Sequence, residues 1–481
     1  MKLVFVALLV ACAAAYDNGA PQARLPALGW SSWVALGPGA EHPIFDFCDA
    51  ESIMSAADAL VSDELGLKKA GFAHSFHLDD CWAGGRNSTG YLFAEEDHFP
   101  NGIKPVIDYV HSKGLSFGLY TCAGTETCVG HRPGSKDHWQ QDADVFAEWG
   151  VDFVKMDWCN TPGMSPPATY PLMSKALNAT GRPILFNMCE WGKDQPWIWG
   201  DAVAQSWRAT GDHEGTWMST KSIISEVAQI PAEYTGRPFG WNDMDMLETG
   251  NGARAAHANG KLSNMTDDEY KTEFSMWAIN ASPLIITTPI MNCSLPTKNL
   301  TSCSVSLTHQ HSSATCTEGV SFGCNLNDTM WTTDGCRGEF SCNGADVTCD
   351  VDGTGVHVCS CNDSPPTCVP WITDLQREIL TNTEVIAINQ DVTPQGRPVT
   401  AGDLTVWARN MTDGTIAVAL YNQDDTDTKI GVEFSDLGWA SSTTATARDL
   451  WQHKDLGQFT GSIPAMDVRM HQTVVLRLTK A

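Results

Sequence analysis

Between Leu28 and Pro289, short apolar segments alternate with amphipathic stretches along the chain. A short apolar run bounded by polar residues predicts a buried strand, and an amphipathic stretch predicts a helix that packs against it. The eight predicted strands are ALGWSSW, FAHSFHLDD, LSFGLYTC, DFVKMDW, ILFNMCEW, AQSWRATGD, FGWNDMDML and SPLIITT. The predicted helices are Glu51–Lys69, Ile103–Lys113, Asp137–Trp149, Tyr170–Asn178, Lys221–Gln229 and Asp268–Ile279. Eight alternating β and α units predict an α/β fold, a parallel (β/α)8 or TIM barrel.

The segment from Cys293 to Cys368 interrupts this alternation. It holds ten of the 17 cysteines and several Asn/Asp/Gly/Ser clusters, with little helical or strand periodicity. We interpret residues 292–370 as an insertion held by disulfides, because a loop so poor in apolar residues needs cross-links to stay ordered. Zinc binding is the alternative, although thiols in the secretory route are usually oxidised. Four alternative roles for the insertion stay open: it binds carbohydrate, covers part of the active-site face, mediates assembly, or only protects the chain.

A second domain is predicted at the C-terminus. The segment WITDLQREILTNTEVIAINQD is predicted to be helical and to complete a barrel that spans residues 16–391. From about Val392 the pattern changes to the alternating apolar strands LTVWARN, TIAVALYN, KIGVEF, TATARDL and HQTVVLRL. Residues 392–481 are therefore predicted to form an antiparallel β-sandwich.

The N-terminus predicts entry into the secretory route. Residues 1–15 read as a signal peptide, with Lys2 before a short apolar run and small residues before Tyr16. Removing Cys12 with this peptide leaves 16 cysteines, an even number that suits an oxidising compartment. Sequons for N-glycosylation support the same route, and only the one at Asn280, within MWAINASPLII, is expected to be buried and unmodified. The sequons begin at Asn87, Asn178, Asn264, Asn280, Asn292, Asn299, Asn327, Asn362 and Asn410.

The charge narrows the classes of partner. A formal net charge of −27 repels nucleic acid and anionic membrane surfaces, so neither is expected as a partner. No apolar run is long enough to span a bilayer. We expect a secreted protein, or one delivered to a lysosome or vacuole, and a homo-oligomer is possible.

Residues with carboxyl or hydroxyl side chains, which can act in catalysis or binding, lie at the ends of most predicted strands. The carboxyl ends of barrel strands converge on one face, where (β/α)8 enzymes build their active sites. Any one such residue has an ordinary explanation as a helix cap or a loop solubiliser, but the whole set does not. The set is Asp79, Asp80, Tyr120, Asp157, Glu190, Asp212 and Asp245.

Two of these carboxylates suggest chemistry on a glycosidic bond. In VKMDW, Lys155 and Asp157 point to the same side of a strand, and a lysine nearby favours the ionised form that a nucleophile requires. A buried structural ion pair is the alternative. In SWRATGD, Arg208 precedes Asp212, a candidate proton donor. Glycoside hydrolysis needs two carboxyl groups in different roles, and their separation decides between retention and inversion.

The pair Asp79–Asp80 predicts a site rich in hydrogen-bond donors. Adjacent carboxylates repel each other unless donors or a cation share them, and sugar hydroxyls are good donors. A metal site that includes His77 is the alternative, although no metal-binding spacing such as H-E-x-x-H supports it. Three tryptophans can stack on a sugar face or simply pack, namely Trp33, Trp82 and Trp191.

These motifs, in this order, resemble glycoside hydrolase family 27, the α-galactosidase and α-N-acetylgalactosaminidase family. The resemblance covers about Leu25 to Pro289, resumes at Trp371, and rests on LGWSSW, LDDCW, VKMDWCN, CEWG, SWRATGD and WNDMDMLETGNG. It implies a retaining α-galactosidase that needs no cofactor or metal and acts on galactose-containing oligosaccharides, polysaccharides or glycoconjugates. It also implies that Asp157 attacks the anomeric carbon and that Asp212 is the acid/base.

The resemblance further implies a set of substrate contacts and two disulfides. Asp79 and Asp80 are expected to bind the O6 and O4 hydroxyls, Lys155 the O3/O4 side and Arg208 the O2 hydroxyl. The other expected site residues are Trp33, Tyr120, Cys159, Glu190, Trp191, Asp245 and Met246. The expected disulfides are Cys48–Cys81 and Cys128–Cys159.

Substrate choice is expected to depend on Cys189, Glu190 and Trp191. Bulky side chains there leave no room for a 2-acetamido group, which favours galactose over N-acetylgalactosamine, and the aspartates near O6 favour galactose over β-L-arabinopyranose. Those two activities and a non-catalytic galactose-binding protein are the alternatives. The chain departs from the family pattern at Met244, where proline is usual, and at the Cys-rich insertion. Cys122 and Cys189 have no assigned disulfide partner.

Overall fold

The computed structural model describes residues 16–35, 49–252, 263–294, 302–325, 328–350, 356–361 and 367–481. The predicted signal peptide, Cys48 and the sequons at Asn299, Asn327 and Asn362 lie outside these ranges. Asn280 is 2% exposed, so the prediction that this sequon is buried is confirmed.

Eight parallel strands form the predicted barrel sheet. They are β1 Leu28–Ser31, β2 Ser75–Leu78, β3 Phe117–Cys122, β4 Phe153–Asp157, β5 Leu185–Cys189, β6 Ser206–Arg208, β7 Trp241–Asp243 and β8 Leu284–Ile286. Each strand pairs with the next in chain order up to β7, and β8 pairs with β1. A parallel bridge between Leu247 and Ile286 joins the chain beyond β7 to β8. Every strand residue is buried, which explains why these segments read as continuous apolar runs.

The helices follow the prediction with local corrections. The α-helices are Ser32–Ala35, Ala50–Val61, Leu67–Ala70, Lys104–Ser112, Trp139–Trp149, Pro166–Ala179, Pro196–Trp199, Trp217–Val227, Asp267–Ile279, Asp374–Leu380 and Thr383–Asn389. Short 3-10 helices occupy Pro21–Ala23, Gly200–Ala202 and Ala232–Tyr234.

Two stretches predicted as single helices are each divided. The prediction of one helix over Glu51–Lys69 is wrong, because Ser62 turns to an extended conformation and Gly66 takes a left-handed φ of 74°. In the helical segment before the sandwich, the Asn382 side chain accepts from the backbone N–H groups of Glu384 and Val385 and so starts a second helix. A hairpin of Ala83–Arg86 and Leu92–Ala94, absent from the prediction, follows β2.

The Cys-rich insertion is held by disulfides as predicted, but it is not a loop. Its strands Met291–Ser294 and Thr367–Pro370 pair with each other, and the segment between them forms two three-stranded antiparallel sheets. These sheets comprise Val305–Gln310, Gly338–Cys342 and Ala345–Cys349, and Phe322–Asn325, Thr329–Thr332 and His357–Ser360. Four disulfides link Cys303–Cys324, Cys316–Cys336, Cys342–Cys361 and Cys349–Cys359. Cysteines occupy many of the buried positions, so the hydrophobic alternation of a strand is weak in the sequence.

The C-terminal domain is the predicted antiparallel sandwich. A six-stranded sheet contains Arg397–Thr400, Asp403–Asn410, Ile416–Tyr421, Thr473–Lys480, Thr444–Asp449 and Lys454–Thr460, in spatial order, and a two-stranded sheet contains Thr428–Glu433 and Ser462–Val468. The prediction missed Arg397–Thr400, Lys454–Thr460 and Ser462–Val468, because most of their residues are partly or fully exposed and show little apolar alternation. Across the described ranges, no helix combines the length and apolarity that a membrane crossing requires.

Candidate active site

Three neighbouring strands bring Asp157 to the centre of a pocket. Asp157 ends β4 and pairs in register with Cys122 on β3 and Cys189 on β5. The pocket has a volume of about 260 Å³ and lies at the carboxyl ends of the barrel strands. Asp157 and Asp212 both line it. The two carboxylates singled out in the sequence therefore face one cavity.

Asp157 is buried but only lightly paired. Asp157 is 7% exposed, and its Oδ1 accepts a hydrogen bond from the backbone N–H of Trp158 at 2.8 Å. Burial raises the pKa of Asp157 to about 6, and the neighbouring Lys155 opposes that rise without cancelling it. The sequence predicts that a nearby lysine favours the ionised form of Asp157, and the structure adds that burial outweighs this effect.

Lys155 forms its ion pair with Asp79, not with Asp157. Lys155 Nζ lies 2.9 Å from Asp79 Oδ2, and His77 Nε2 lies 3.3 Å from the same oxygen. Burial alone would raise the pKa of Asp79, but Lys155 and His77 outweigh it and hold that pKa well below its usual value. The Lys155 ammonium and the His77 imidazole therefore explain how Asp79 stays ionised beside another carboxyl group.

Asp80 and Tyr120 are held by the loop that the Cys128–Cys159 disulfide braces. Asp80 Oδ2 accepts from the backbone N–H of Val129 at 2.9 Å, and the Tyr120 hydroxyl accepts from that of Cys128 at 3.4 Å. The predicted Cys128–Cys159 bond is present. Cys81 is disulfide-bonded, while its expected partner Cys48 lies outside the described residues.

Arg208 forms ion pairs with both Asp212 and Asp245. Its Nη1 lies 2.8 Å from Asp245 Oδ1 and its Nη2 lies 3.1 Å from Asp212 Oδ1. The Arg208 and Asp245 side chains are 4% and 8% exposed, whereas the Asp212 side chain is 68% exposed. Asp157 and Asp212 therefore occupy opposite environments, one desolvated and one open to water.

Most predicted site residues meet in this pocket, but Glu190 and Trp82 do not. Glu190 is fully buried behind the lining, and burial raises its pKa well above the usual range. Trp82 packs against Phe146 and Trp149 instead of facing the cavity. The predicted residues that line the pocket are Trp33, Asp79, Asp80, Tyr120, Lys155, Asp157, Cys159, Trp191, Arg208, Asp212, Asp245 and Met246.

Other lining residues were not predicted. His213 and Glu214 follow Asp212 directly, and Thr287 follows β8, so their places at strand ends were the available signal. Val34 and Glu248 carried no such signal. Cys189, which is expected to affect substrate choice only through its size, also lines the pocket.

The cysteines that lie close enough to Asp157 to share a metal ion with it are not free thiols. Within the described ranges, the one group of potential ligands close enough to share an ion is Cys128, Asp157 and Cys159. The two sulfurs of that group are joined in a disulfide.

Two parts of the chain match known protein families. Residues 25–306 match the family described as alpha galactosidase A, and residues 401–478 match the alpha galactosidase C-terminal beta sandwich domain. An alpha-galactosidase from Cyamopsis tetragonoloba is 35% identical over 454 residues, which cover 93% of this chain and 84% of that protein. The chain belongs to the alpha-galactosidase family.

Further comparisons agree with this membership. The alpha-galactosidase A of Cellvibrio japonicus is 40% identical over 319 residues, 64% of this chain and 71% of that protein. The crystal structure of alpha-galactosidase I from Mortierella vinacea superposes with a TM-score of 0.69 at 27% identity, covering 97% of this chain and 99% of that one. The resemblance to glycoside hydrolase family 27 is thus confirmed. The insertion of this α-galactosidase family member matches a separate family of unknown function over residues 287–385.

Buried Glu273, which contacts the pocket-lining residue Glu248, predicts pH-dependent stability. Glu273 accepts from the backbone N–H of Glu248 at 2.7 Å and from the Thr249 hydroxyl at 2.7 Å, yet burial raises its pKa to about 8. Because the folded-state pKa lies above the unfolded one, its contribution to stability is present below the unfolded value, near 4.5, and is lost as pH rises through 8.

We therefore expect the thermal unfolding midpoint to fall between pH 5 and pH 8, as scanning calorimetry would record. Glu273→Gln copies the protonated form and should reduce that fall. Exposed Glu378, which pairs with Lys271, supplies the control Glu378→Gln, which should leave the fall unchanged. An equal fall in Glu273→Gln and the wild type would contradict this account.

Proposed function

We propose that this pocket hydrolyses terminal α-D-galactosyl residues with net retention, through a covalent galactosyl intermediate on Asp157. The enzyme class follows from the family: the chain is a glycoside hydrolase of the α-galactosidase family and acts on α-galactosides. One observation supports the mechanism most strongly. A desolvated carboxylate and a solvent-exposed carboxylate line one cavity, and double displacement requires two such different roles.

The first step forms the glycosyl-enzyme. An Asp157 carboxylate oxygen attacks the anomeric carbon while the bond from that carbon to the leaving oxygen breaks. Asp212 transfers its proton to the leaving oxygen, so the aglycone departs as a neutral alcohol. Exposure of Asp212 suits this role, because the aglycone must enter and leave at the open side of the pocket.

The second step releases galactose. Asp212, now ionised, removes a proton from water, and the water oxygen attacks the anomeric carbon. The bond to Asp157 breaks and its carboxylate is restored. Two displacements at one carbon return the original anomeric configuration.

The remaining lining residues are suited to holding a neutral hexose. Asp79 and Asp80 offer acceptor oxygens to hydroxyl groups, and Lys155 offers N–H donors beside them. Trp33 supplies an apolar surface for a sugar ring. Arg208 also lines the pocket, and we assign its guanidinium to the side of the sugar's 2-hydroxyl.

A mutation at Trp191 tests the choice of sugar. Trp191 and Cys189 line the pocket, and we assign them to the O2 side because Arg208 adjoins Cys189, with 3.5 Å between Nη1 and Sγ. Trp191→Ala should raise the kcat/KM ratio of aryl α-N-acetylgalactosaminide to aryl α-galactoside about 10-fold or more. Trp199 ends the helix that follows this loop, packs against Tyr170 with tilted rings and does not line the pocket, so Trp199→Ala is the control. An unchanged ratio in Trp191→Ala would remove the steric argument.

The overall activity is tested by a release assay. Aryl α-galactoside, its 2-acetamido analogue, aryl β-L-arabinopyranoside and natural α-galactosides are compared by kcat/KM, and the first-formed anomer is followed by ¹H NMR. We expect preference for the galactosides and initial release of α-galactose. Preference for either other sugar, or initial release of β-galactose, would refute the proposal.

We also propose that the protein travels through the secretory route. Five disulfides among the described residues suit an oxidising compartment. The sequon asparagines 87, 178, 264, 292 and 410 are exposed, which suits glycosylation there.

A further inference from the structure

Asp245 holds both ends of the turn that carries Asp212. Its Oδ1 lies 2.8 Å from Arg208 Nη1, and its Oδ2 accepts from the backbone N–H of His213 at 2.7 Å. Arg208 in turn donates to Gly211 O at 2.7 Å and contacts Asp212 Oδ1 at 3.1 Å. The position of the exposed Asp212 carboxylate therefore depends on residues that Asp245 anchors.

Asp245 is itself tightly placed. Its backbone N–H donates to Asp243 Oδ1 at 2.9 Å, and its carbonyl accepts from Trp277 Nε1 at 2.7 Å. Its φ of 82° lies in the left-handed region, which a non-glycine residue occupies only where its surroundings enforce it. The backbone at Asp245 thus adopts an unfavourable conformation in which its carboxylate contacts Arg208 and His213.

We propose that Asp245 is a positioning residue that acts through Asp212, instead of a sugar-binding residue as the family resemblance implied. Both of its oxygens already have protein partners, and its side chain is 8% exposed. A general acid must stand within hydrogen-bond reach of the leaving oxygen, so a small displacement of the turn impairs proton transfer more than it impairs sugar binding. The inference rests on the proposed function, in which Asp212 is the acid/base.

The variant Asp245→Asn tests the role. Asparagine has the same size but offers one acceptor oxygen, so it can keep only one of the two anchoring contacts. We expect kcat/KM for an unactivated galactoside such as raffinose to fall about 100-fold, because its leaving group needs the acid. For 2,4-dinitrophenyl α-galactoside, whose leaving group needs no proton, the loss should stay below about 5-fold. The inhibition constant of galactose should not change.

A double-mutant cycle separates an indirect role from an independent one. If Asp245 acts through Asp212, the variant Asp212→Asn/Asp245→Asn should hydrolyse raffinose no more slowly than Asp212→Asn alone. Losses that multiply would overturn the proposal. Equal losses on both substrates with weaker galactose inhibition would also overturn it, since they would mean that Asp245 binds the sugar.

Two further variants keep the test decisive. Asp142 forms a buried pair with Arg86 at 2.6 Å and does not line the pocket, so Asp142→Asn controls for loss of a buried carboxylate and should keep the wild-type kinetics. If Asp245→Asn does not fold, Asp243→Ala, which removes the acceptor of the Asp245 amide, must give the same substrate-dependent loss; equal loss on both substrates would overturn the proposal. Failure of the proposed function looks different, because the wild type would then release no galactose from either substrate.

Discussion

Asp157→Ala is expected to lower kcat for aryl α-galactosides by at least about 10⁴-fold, because the covalent path loses its nucleophile. Stability should not fall with activity. Burial raises the pKa of Asp157 to about 6, so at pH 7 the ionised carboxylate destabilises the folded state and alanine removes that unfavourable term. The measurements are steady-state kinetics and the thermal unfolding midpoint at pH 7, where the variant should equal or exceed the wild type.

The control for that variant is again Asp142→Asn, which changes a buried carboxylate outside the pocket and should retain activity. Activity in Asp157→Ala within about 100-fold of the wild type would exclude Asp157 as the nucleophile. A lower midpoint in that variant would instead contradict the assignment of Asp157 as a destabilising charge.

Asp212→Asn is expected to impair substrates according to their leaving groups. For raffinose, kcat/KM should fall about 10³-fold, within the usual range for loss of a general acid. For 2,4-dinitrophenyl α-galactoside, kcat/KM should remain within about 10-fold of the wild type, because its phenolate leaves without a proton. The second step still lacks its base, so stopped-flow absorbance should show a burst of phenolate followed by slow turnover.

Azide provides the matching control for that second step. It attacks the glycosyl-enzyme without base assistance, so added azide should speed turnover of the dinitrophenyl substrate by Asp212→Asn and yield α-galactosyl azide. The same azide should not accelerate the wild type. Uniform loss on both substrates, with no burst, would assign Asp212 to binding.

The barrel could be predicted because its strands are buried on both faces. Such strands read as continuous apolar runs, as in Leu284–Ile286, where every residue is buried. Strands at exposed edges give no such pattern, and Lys454–Thr460 in the sandwich was missed for that reason. The division near Gly66 depends on one left-handed residue, which apolar periodicity does not record.

The site could be predicted as a set of strand ends, but its pairings could not. Lys155 and Asp79 are 76 positions apart. Lys155 lies on β4 and Asp79 directly follows β2, with β3 between these strands, so their contact depends on the curvature of the barrel. The sequence therefore placed the lysine beside Asp157 alone. Likewise, the dominance of burial over Lys155 at Asp157 required the structure, because exposure is set by the whole pocket.

The orientation of Glu190 follows from strand alternation once the register of β4 and β5 is known. Asp157 pairs in register with Cys189, and successive strand side chains point to opposite sides. Cys189 therefore shares the side of Asp157 and faces the pocket, whereas Glu190 turns away and is buried. The register comes from the structure, so the sequence alone could not decide which of these two side chains faces the pocket.

Trapping the intermediate tests the central assignment most directly. A fluorinated α-galactosyl fluoride, which forms the glycosyl-enzyme but releases it slowly, is incubated with the wild-type protein, and the labelled peptide is sequenced by mass spectrometry. The account predicts one galactosyl label per chain, on Asp157, and no label in Asp157→Ala. A label on any other residue, or turnover of the reagent without a label, would contradict it.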